Sequence, residues 1–382
     1  MIIISDTPVD TSEAAFVLSR PHRTVIATAG GRAFRSAAEA VAALRSGQVS
    51  HIVGALPFAP DAPAALWAPD SVTVRDGGYR SNAPKALPDF DFDEAIPAPE
   101  AHVSRVAAAV RLLGDATHPV RKVVLARSIR ARSDRPVPAA DILDLLVSTD
   151  PVGNGFLVDL SAAGASYSGR RLIGSSPEVL VERTGTDVLS HPLAGSARRV
   201  PGDDAADREA ARNLLGSAKD QHEHRYVVDQ VSDVLRDRCI SVRTPGTPEL
   251  TGTPEMWHLG TPITATVRFD GPSALELAAA LHPTPAVCGT PTAAAARLIR
   301  ELEGDRGFYA GAVGWCDADG NGEWMVSIRC AELSSEGTTL LAHAGGGIVA
   351  ESDPAAELAE TTGKFQRILA PLGIADLPVT VG

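Results

Sequence analysis

The chain has 382 residues, 44% of them hydrophobic, with a mean hydropathy close to zero, so it can bury a large core in one big domain or two intimately joined ones. Its 35 basic and 47 acidic residues leave a net charge of −12, which repels phosphate backbones and anionic lipid and excludes nucleic acid and membrane surfaces as expected partners, while local cations could still hold a small anionic substrate. No apolar run approaches the roughly 18 residues that span a bilayer, and "MIIISDTPVD" has neither a basic leader nor a cleavage site, so a cytoplasmic protein is expected.

Residues 1–100 read as irregular: "RPHRTVIATAG", a helix-like "SAAEAVAALRSG", and then "APKALPDFDFDEAIPAPE", whose Pro and Asp content suggests a linker or wrapping loop. After it, "EAHVSRVAAAVRLLG" has the 3.6 period of a helix, "KVVLARSIRAR" reads as a strand and "PAADILDLLV" as a helix, followed by short strands in "GFLVDL", "RRLIGSS", "EVLVERT" and "DVLSHPLAG". A long helical block, "AADREAARNLLGSAKDQHEHRYVVDQVSDVLRDRC", precedes strand-like "WHLGTPITATV" and the helices "SALELAAALH" and "PTAAAARLIRELEG". The strand "TTLLAHAGGGIV" and a last helix, "DPAAELAETTGKFQRILA", close the series. Strands joined by short turns and interrupted by blocks of helix predict an α+β fold with large antiparallel sheets.

In "YAGAVGWCDADGNGEWMVSIRCAEL", residues 309–333, the spacing of Asp317, Asp319, Asn321 and Gly322 opens like a calcium-binding loop. Such a loop needs a bidentate Glu at its twelfth position, where this chain has Ile328, and helices on both sides, where this chain has β-branched and aromatic residues. A hairpin with a tight turn is expected instead. Cys239, Cys288, Cys316 and Cys330 show no paired spacing and are expected to be reduced core residues.

Several side chains look chemical. Lys122 opens a strand on which it shares a face with Val124 and Ala126. Desolvation there favours the neutral amine and would let it act as a base; snorkelling from the strand end to water is the alternative. Glu178 follows the turn "GSSP" at a strand entry, either as a partly buried acid that keeps its proton near neutral pH or as a solvated edge residue. Asp220, Glu223, Val227, Val231 and Val234 fall on one helical stripe, so Glu223 points with the core valines and needs a cation, for which a metal ion is one candidate. His222 and His224 point roughly 200° apart on a helix, and HExxH is absent, which argues against zinc. On the last helix Glu357, Glu360 and Lys364 share a face: an ordinary i, i+4 ion pair, or, for Glu360 with Glu223, two halves of an oxygen-ligand magnesium site. "GGGIVA", residues 345–350, fits a dinucleotide glycine pattern but lacks the βαβ unit that should follow; the glycines better suit a backbone that approaches a small ligand. Strand alternation can aim Arg329 inward for bidentate capture of a carboxylate.

Taken in order, "KVVLARS", "LIGSSPEVLVER", "HPLAGSARR", "KDQHEHRYVVDQV", "MWHLGTPI", "LHPTPAVCGTP", "RGFYAGAVGWCDADGNGEWMVSIRCAEL" and "AGGGIVAESDPAAELAET" resemble the chorismate-utilising enzymes, the family of anthranilate synthase component I, and most closely its siderophore-type isochorismate synthases. The resemblance implies two large antiparallel sheets packed face to face with helices outside and the active-site cleft between them. Residues 101–382 would be the chorismate-binding catalytic region, and residues 1–100 a weakly recognisable N-terminal part of the same α+β domain. It implies magnesium-dependent conversion of chorismate to isochorismate, in siderophore or menaquinone biosynthesis. Lys122 matches the lysine that activates water and Glu178 the acid that protonates the departing hydroxyl. Glu223, Glu360 and Glu357 match the Mg2+ site, with Asp220 in a supporting position. Tyr309 and Arg329 match the holders of the enolpyruvyl carboxylate, while Gly195, Ser196, His258, Thr284, Gly345, Gly346, Gly347 and Lys364 line the rest of the pocket. Leu358 stands where the family often has Trp, leaving both neighbouring glutamates intact. A monomer without a glutamine amidotransferase subunit is expected. The resembling ammonia-using anthranilate and aminodeoxychorismate synthases lack a lysine base at this position; a salicylate synthase would keep the same lysine and acid, and an inactive chorismate-binding homologue would have no reason to retain Lys122, Glu178, Glu223 and Glu360 together.

Overall fold

The computed structural model describes residues 14–79, 87–374 and 377; "MIIISDTPVD" lies outside them. In the strand Ala14–Arg20, Phe16 and Leu18 enter one core and Val17 enters another, and Phe156, Leu157 and Val158 divide in the same way. Strands buried on both faces have no polar side to present, which is why these segments read as short apolar runs without alternation. They belong to a ten-stranded sheet in the order Gly289–Thr290, Lys122–Arg132, Thr339–Ile348, Cys330–Leu333, Arg171–Gly174, Gly155–Asp159, Ala14–Arg20, Arg23–Thr28 and Val72–Asp76, with Asp91–Ile96 also paired to Lys122–Arg132. The nine-stranded second sheet runs Ser241–Arg243, Ile263–Thr266, Asp187–His191, Val179–Thr184, Gly322–Val326, Ala312–Asp317, His51–Leu56, Ala65–Ala68 and Arg32–Phe34. All pairings are antiparallel.

The sheets share one core, bridged by Phe16 of the first and Trp67 of the second, whose rings meet edge to face at 6.4 Å. Helices Ala139–Thr149 and Pro354–Leu369 cover the outer face of the first sheet through Leu143, Leu146, Phe365 and Ile368. Ala274–Leu281 packs on the second through Leu275 and Leu277. This is the expected α+β architecture, with helices outside two large antiparallel sheets.

Four local expectations need correction. The described part of the first hundred residues is not irregular: its strands are distributed over both large sheets, and Ala14–Arg20, Arg23–Thr28, His51–Leu56 and Ala65–Ala68 are hidden from pattern reading by two-sided burial. Part of the supposed Pro/Asp-rich linker is the edge strand Asp91–Ile96, whose acids disguised it; Asp93 and Glu94 meet Arg132 at 2.9 Å and Arg130 at 2.6 Å. Residues 83–86 of that stretch lie outside the described residues. "DVLSHPLAG" and "WHLGTPITATV" are each cut by a proline, Pro192 and Pro262, which lacks the N–H a ladder needs. Their other halves, Leu193–Arg198 and Met256–Gly260, join Glu249–Gly252 in a third, three-stranded sheet. The long helical block breaks at Ser217, whose extended backbone ends Asp204–Gly216 and whose hydroxyl accepts the Asp220 N–H at 3.2 Å to start Ala218–Arg236.

The hairpin Ala312–Asp317/Gly322–Val326 forms as expected, and its turn is no calcium loop: Asn321 donates from its backbone and side chain to both Asp317 oxygens, at 2.8 and 3.0 Å. All four cysteines are free; Cys288, Cys316 and Cys330 are buried, whereas Cys239, just beyond a helix end, is only half-buried. Among the described residues no helix is long and apolar enough to cross a membrane.

Candidate active site

A pocket of about 750 Å3, counting its open mouth, lies where the strand Lys122–Arg132 and its neighbour Thr339–Ile348 meet the start of the strand Val179–Thr184, with the small third sheet as a further wall. Helices Ala218–Arg236 and Pro354–Leu369 bring charged side chains to it.

Lys122 does not snorkel. Its side chain is fully buried just behind the pocket wall, and its Nζ is 2.9 Å from Glu223 Oε1, in an ion pair without the alignment of a hydrogen bond. The helical stripe that aims Glu223 with Val227 and Val231 is as expected, so strand and helix converge on one buried pair. His224 is committed elsewhere, its Nε2 2.7 Å from Thr261 Oγ1.

Glu178 reaches the pocket from the second sheet. The preceding turn is locked by Ser175, whose hydroxyl donates to Asp150 at 3.0 Å and accepts from Arg367 at 2.9 Å, and Ser176 Oγ accepts the Glu178 N–H at 3.2 Å. Burial pushes the Glu178 carboxyl up to about 7, against the opposing pull of a backbone N–H, Lys122 and Arg329. It is a buried acid and not a solvated edge glutamate.

Glu223, Glu357 and Glu360 crowd the backbone at Gly346 and Gly347. A Cβ at Gly347 would lie 2.4 Å from Glu223 Oε1, and one at Gly346 would lie 2.9 Å from Glu357 Oε2 and 4.0 Å from Glu360 Oε1. Only glycine admits carboxylates this close to a strand. The glycines are part of the strand Thr339–Ile348, with Gly345 and Gly347 on the pocket and Gly346 turned toward the last helix. Glu357 is buried, and burial together with the Glu360 charge raises its carboxyl to about 7; its Oε1 accepts from Ser352 at 2.8 Å while Oε2 has no partner. Burial also works against Glu360, but Lys364 at 2.6 Å and the Ser196 hydroxyl at 3.0 Å hold it below the usual range. Asp220 borders the pocket and is raised by burial. An orphaned buried oxygen within a set of hard carboxylate donors fits a magnesium ion. The carboxylates are not drawn together as around an ion. Among the described residues the trio whose ligand atoms lie within 4.8 Å of one another is His22, Glu182 and Glu323, which carries its own cations, Arg20 at 2.7 Å from Glu323 and Arg23 at 3.9 Å from Glu182.

On the opposite side Arg329 enters the pocket, by a route that strand alternation did not foresee. It sits between the strands Gly322–Val326 and Cys330–Leu333, in the left-handed region at φ 51°, and that kink turns its guanidinium inward. His258 Nε2 lies 3.5 Å from its Nη2, and burial, then Arg329, keeps His258 neutral. Tyr309 is buried on the wall and stacked on His343 at 4.9 Å. Lys364 donates to Gly345 O at 2.9 Å, and Gly195 and Ser196 line the pocket from the third sheet. Thr284 is buried with an unpartnered hydroxyl, but Ala286 and Val287 hold the wall in its place, because the chain turns after Thr284.

Sequence reasoning missed Lys219, which lines the pocket 3.6 Å from Glu357 Oε1; its place one residue before the Asp220–Glu223 stripe was the available signal. It also missed Arg306, buried and bonded to Glu303 at 2.8 Å, Val287 O at 2.9 Å and Val124 O at 2.7 Å, which ties the pocket walls together. No periodicity in the sequence marks that residue.

Residues 79–373 match the family model described as chorismate binding enzyme. A relative from Mycobacterium tuberculosis, provisionally named isochorismate synthase MenF, is 48% identical over 95% of this chain and 97% of its own length. The isochorismate synthase DhbC of Bacillus subtilis is 39% identical over 94% of each chain. A crystal structure from Bacillus anthracis, provisionally titled a 2,3-dihydroxybenzoate-specific isochorismate synthase, superposes with a TM-score of 0.86 at 36% identity, covering 95% of this chain and 97% of that one.

Proposed function

The chain belongs to the chorismate-binding enzyme family, and on that footing we propose that it is an isochorismate synthase, converting chorismate to isochorismate for siderophore or menaquinone biosynthesis. The observation that carries the reading is a fully buried lysine just behind the pocket wall, on one sheet, and a buried glutamic acid that reaches the pocket from the other, its carboxyl raised to about 7 by burial. A carboxyl that keeps its proton near neutral pH is what the acid half of such chemistry requires.

Lys122 takes a proton from water as the water oxygen bonds to ring carbon 2. Glu178 gives its proton to the hydroxyl at carbon 4, which leaves as water while the ring double bonds shift. The nucleophile is water, so no glutamine amidotransferase partner is invoked. Arg329 and Tyr309 hold the enolpyruvyl carboxylate, a role suited to a guanidinium that presents two parallel donors. His258, Gly195, Ser196 and Lys364 shape the remaining wall. Glu223 and Glu360, with Glu357 and Asp220 behind them, would hold Mg2+, which neutralises the ring carboxylate when bound.

Incubation with chorismate and Mg2+, followed by chromatography, tests the reading. Isochorismate alone is expected. Stoichiometric pyruvate with salicylate would move the assignment to salicylate synthase, and no turnover would leave a binding homologue.

A further inference from the structure

Three carboxylates at or just behind the pocket wall each face an ammonium group: Glu223 faces Lys122 at 2.9 Å, Glu360 faces Lys364 at 2.6 Å and Glu357 faces Lys219 at 3.6 Å. Lys122 is buried, and Lys364 is anchored to Gly345 O at 2.9 Å. Lys219 differs. Its side chain is 40% exposed, and it sits in the first turn of Ala218–Arg236, where the helix dipole disfavours a cation. Among the described residues no hydrogen-bond acceptor holds its ammonium; its company is carboxylate. It shares the pocket lining with Asp220, Glu223 and Glu360.

We propose that Lys219 is the resident counter-cation of the metal position, balancing the carboxylate cluster while the divalent ion is absent and swinging toward the mouth when the ion enters. The role rests on the magnesium reading above and adds to it a tethered competitor that sets metal affinity. Lys219 is here a positioning residue, acting through the carboxylates.

The test is calorimetric titration of the full chain with MgCl2, without chorismate. Lys219→Met, which keeps the stem and removes the charge, is expected to bind Mg2+ about tenfold tighter than wild type, the scale of one partly screened charge contact. Lys219→Gln should do the same, while Lys219→Arg, which keeps the charge, should not tighten binding. The metal-free Met variant should also melt lower than wild type and gain more from added Mg2+, as unbalanced carboxylates would. Equal or weaker Mg2+ binding by both neutral variants overturns the role. So does a raised KM for chorismate with unchanged Mg2+ affinity, which would make Lys219 a substrate holder. If wild type binds Mg2+ and the variants match it, this role alone falls; if neither wild type nor variants bind it, the metal site falls too.

Discussion

Replacing Glu178 with Gln should make the protein more stable and nearly inactive, with a gain that depends on pH. Burial moves the carboxyl from 4.5 to about 7 in the folded chain. At pH 7 about half of it is protonated, against under about one per cent for an unshifted glutamate, so burial supplies the acid form that the leaving hydroxyl needs. The same burial has a stability consequence of definite sign. Between pH 4.5 and about 7 the folded state binds the proton more tightly than the unfolded state, so the stabilising proton uptake is complete below pH 4.5 and lost as pH rises through 7. The loss amounts to about 3 kcal/mol, because each tenfold difference in proton affinity between the folded and unfolded chain is worth roughly 1.4 kcal/mol. Gln has the shape of the neutral acid and no proton to lose. Denaturant unfolding of wild type and Glu178→Gln at pH 4 and pH 8 should therefore show a stability difference that moves by about 3 kcal/mol in favour of the variant at pH 8. Turnover should fall by roughly 10² to 10⁴ at every pH. Stability curves that stay parallel across this range, or a variant that retains most of its activity, would refute the assignment of a buried, proton-holding acid.

Other substitutions address the remaining roles. Lys122→Gln should lower turnover by roughly 10² to 10⁴ while Mg2+ binding, measured by calorimetry, persists; Lys122→Arg should be equally inactive because a guanidinium does not deprotonate, and an active Arg variant would move water activation to another residue. Glu360→Gln and Glu223→Gln should each raise the Mg2+ concentration needed for half-maximal rate, and an unchanged dependence would contradict their assignment as ligands. Arg329→Lys should raise KM by about tenfold with a smaller change in kcat, since one ammonium replaces a two-pronged contact; an unaffected KM would remove Arg329 from the substrate carboxylate. Chelation should abolish turnover while far-ultraviolet circular dichroism stays unchanged, because the pocket carboxylates already have ammonium partners.

Much of the site was legible because its residues sit on regular elements. Glu223 was found by the valine stripe of its helix, Glu360 and Lys364 by their i, i+4 spacing, and Lys122 by the position of its strand. Arg329 was found for the wrong reason: a left-handed kink between two strands aims it, and backbone outliers leave no periodic trace. The family resemblance, and not the local pattern, gave Glu178 its role, since a glutamate after "GSSP" reads equally well as exposed until Asp150, Ser175 and Arg367 are seen to bury the turn. The first hundred residues were illegible for a different reason. The strands Ala14–Arg20, Arg23–Thr28, His51–Leu56 and Ala65–Ala68 are short and covered on both sides, so neither alternation nor length distinguishes them from loops with apolar content, and Asp91–Ile96 is an acidic edge strand.

The placement of Thr339–Ile348 between Lys122–Arg132 and Cys330–Leu333 also bears on how the molecule is made. On a ribosome adding roughly 5–20 residues each second, the long strand Lys122–Arg132 emerges at least about ten seconds before the partner that will close its inner edge. For that interval "KVVLARSIRAR" is an open, β-prone template, the kind of segment that recruits foreign strands. Its arginines at 127, 130 and 132 interrupt the apolar run with charge, as gatekeeping residues do in aggregation-prone segments. The same side chains that later settle against Thr361, Glu94 and Asp93 thus keep the unfinished chain soluble while it waits for its last strand.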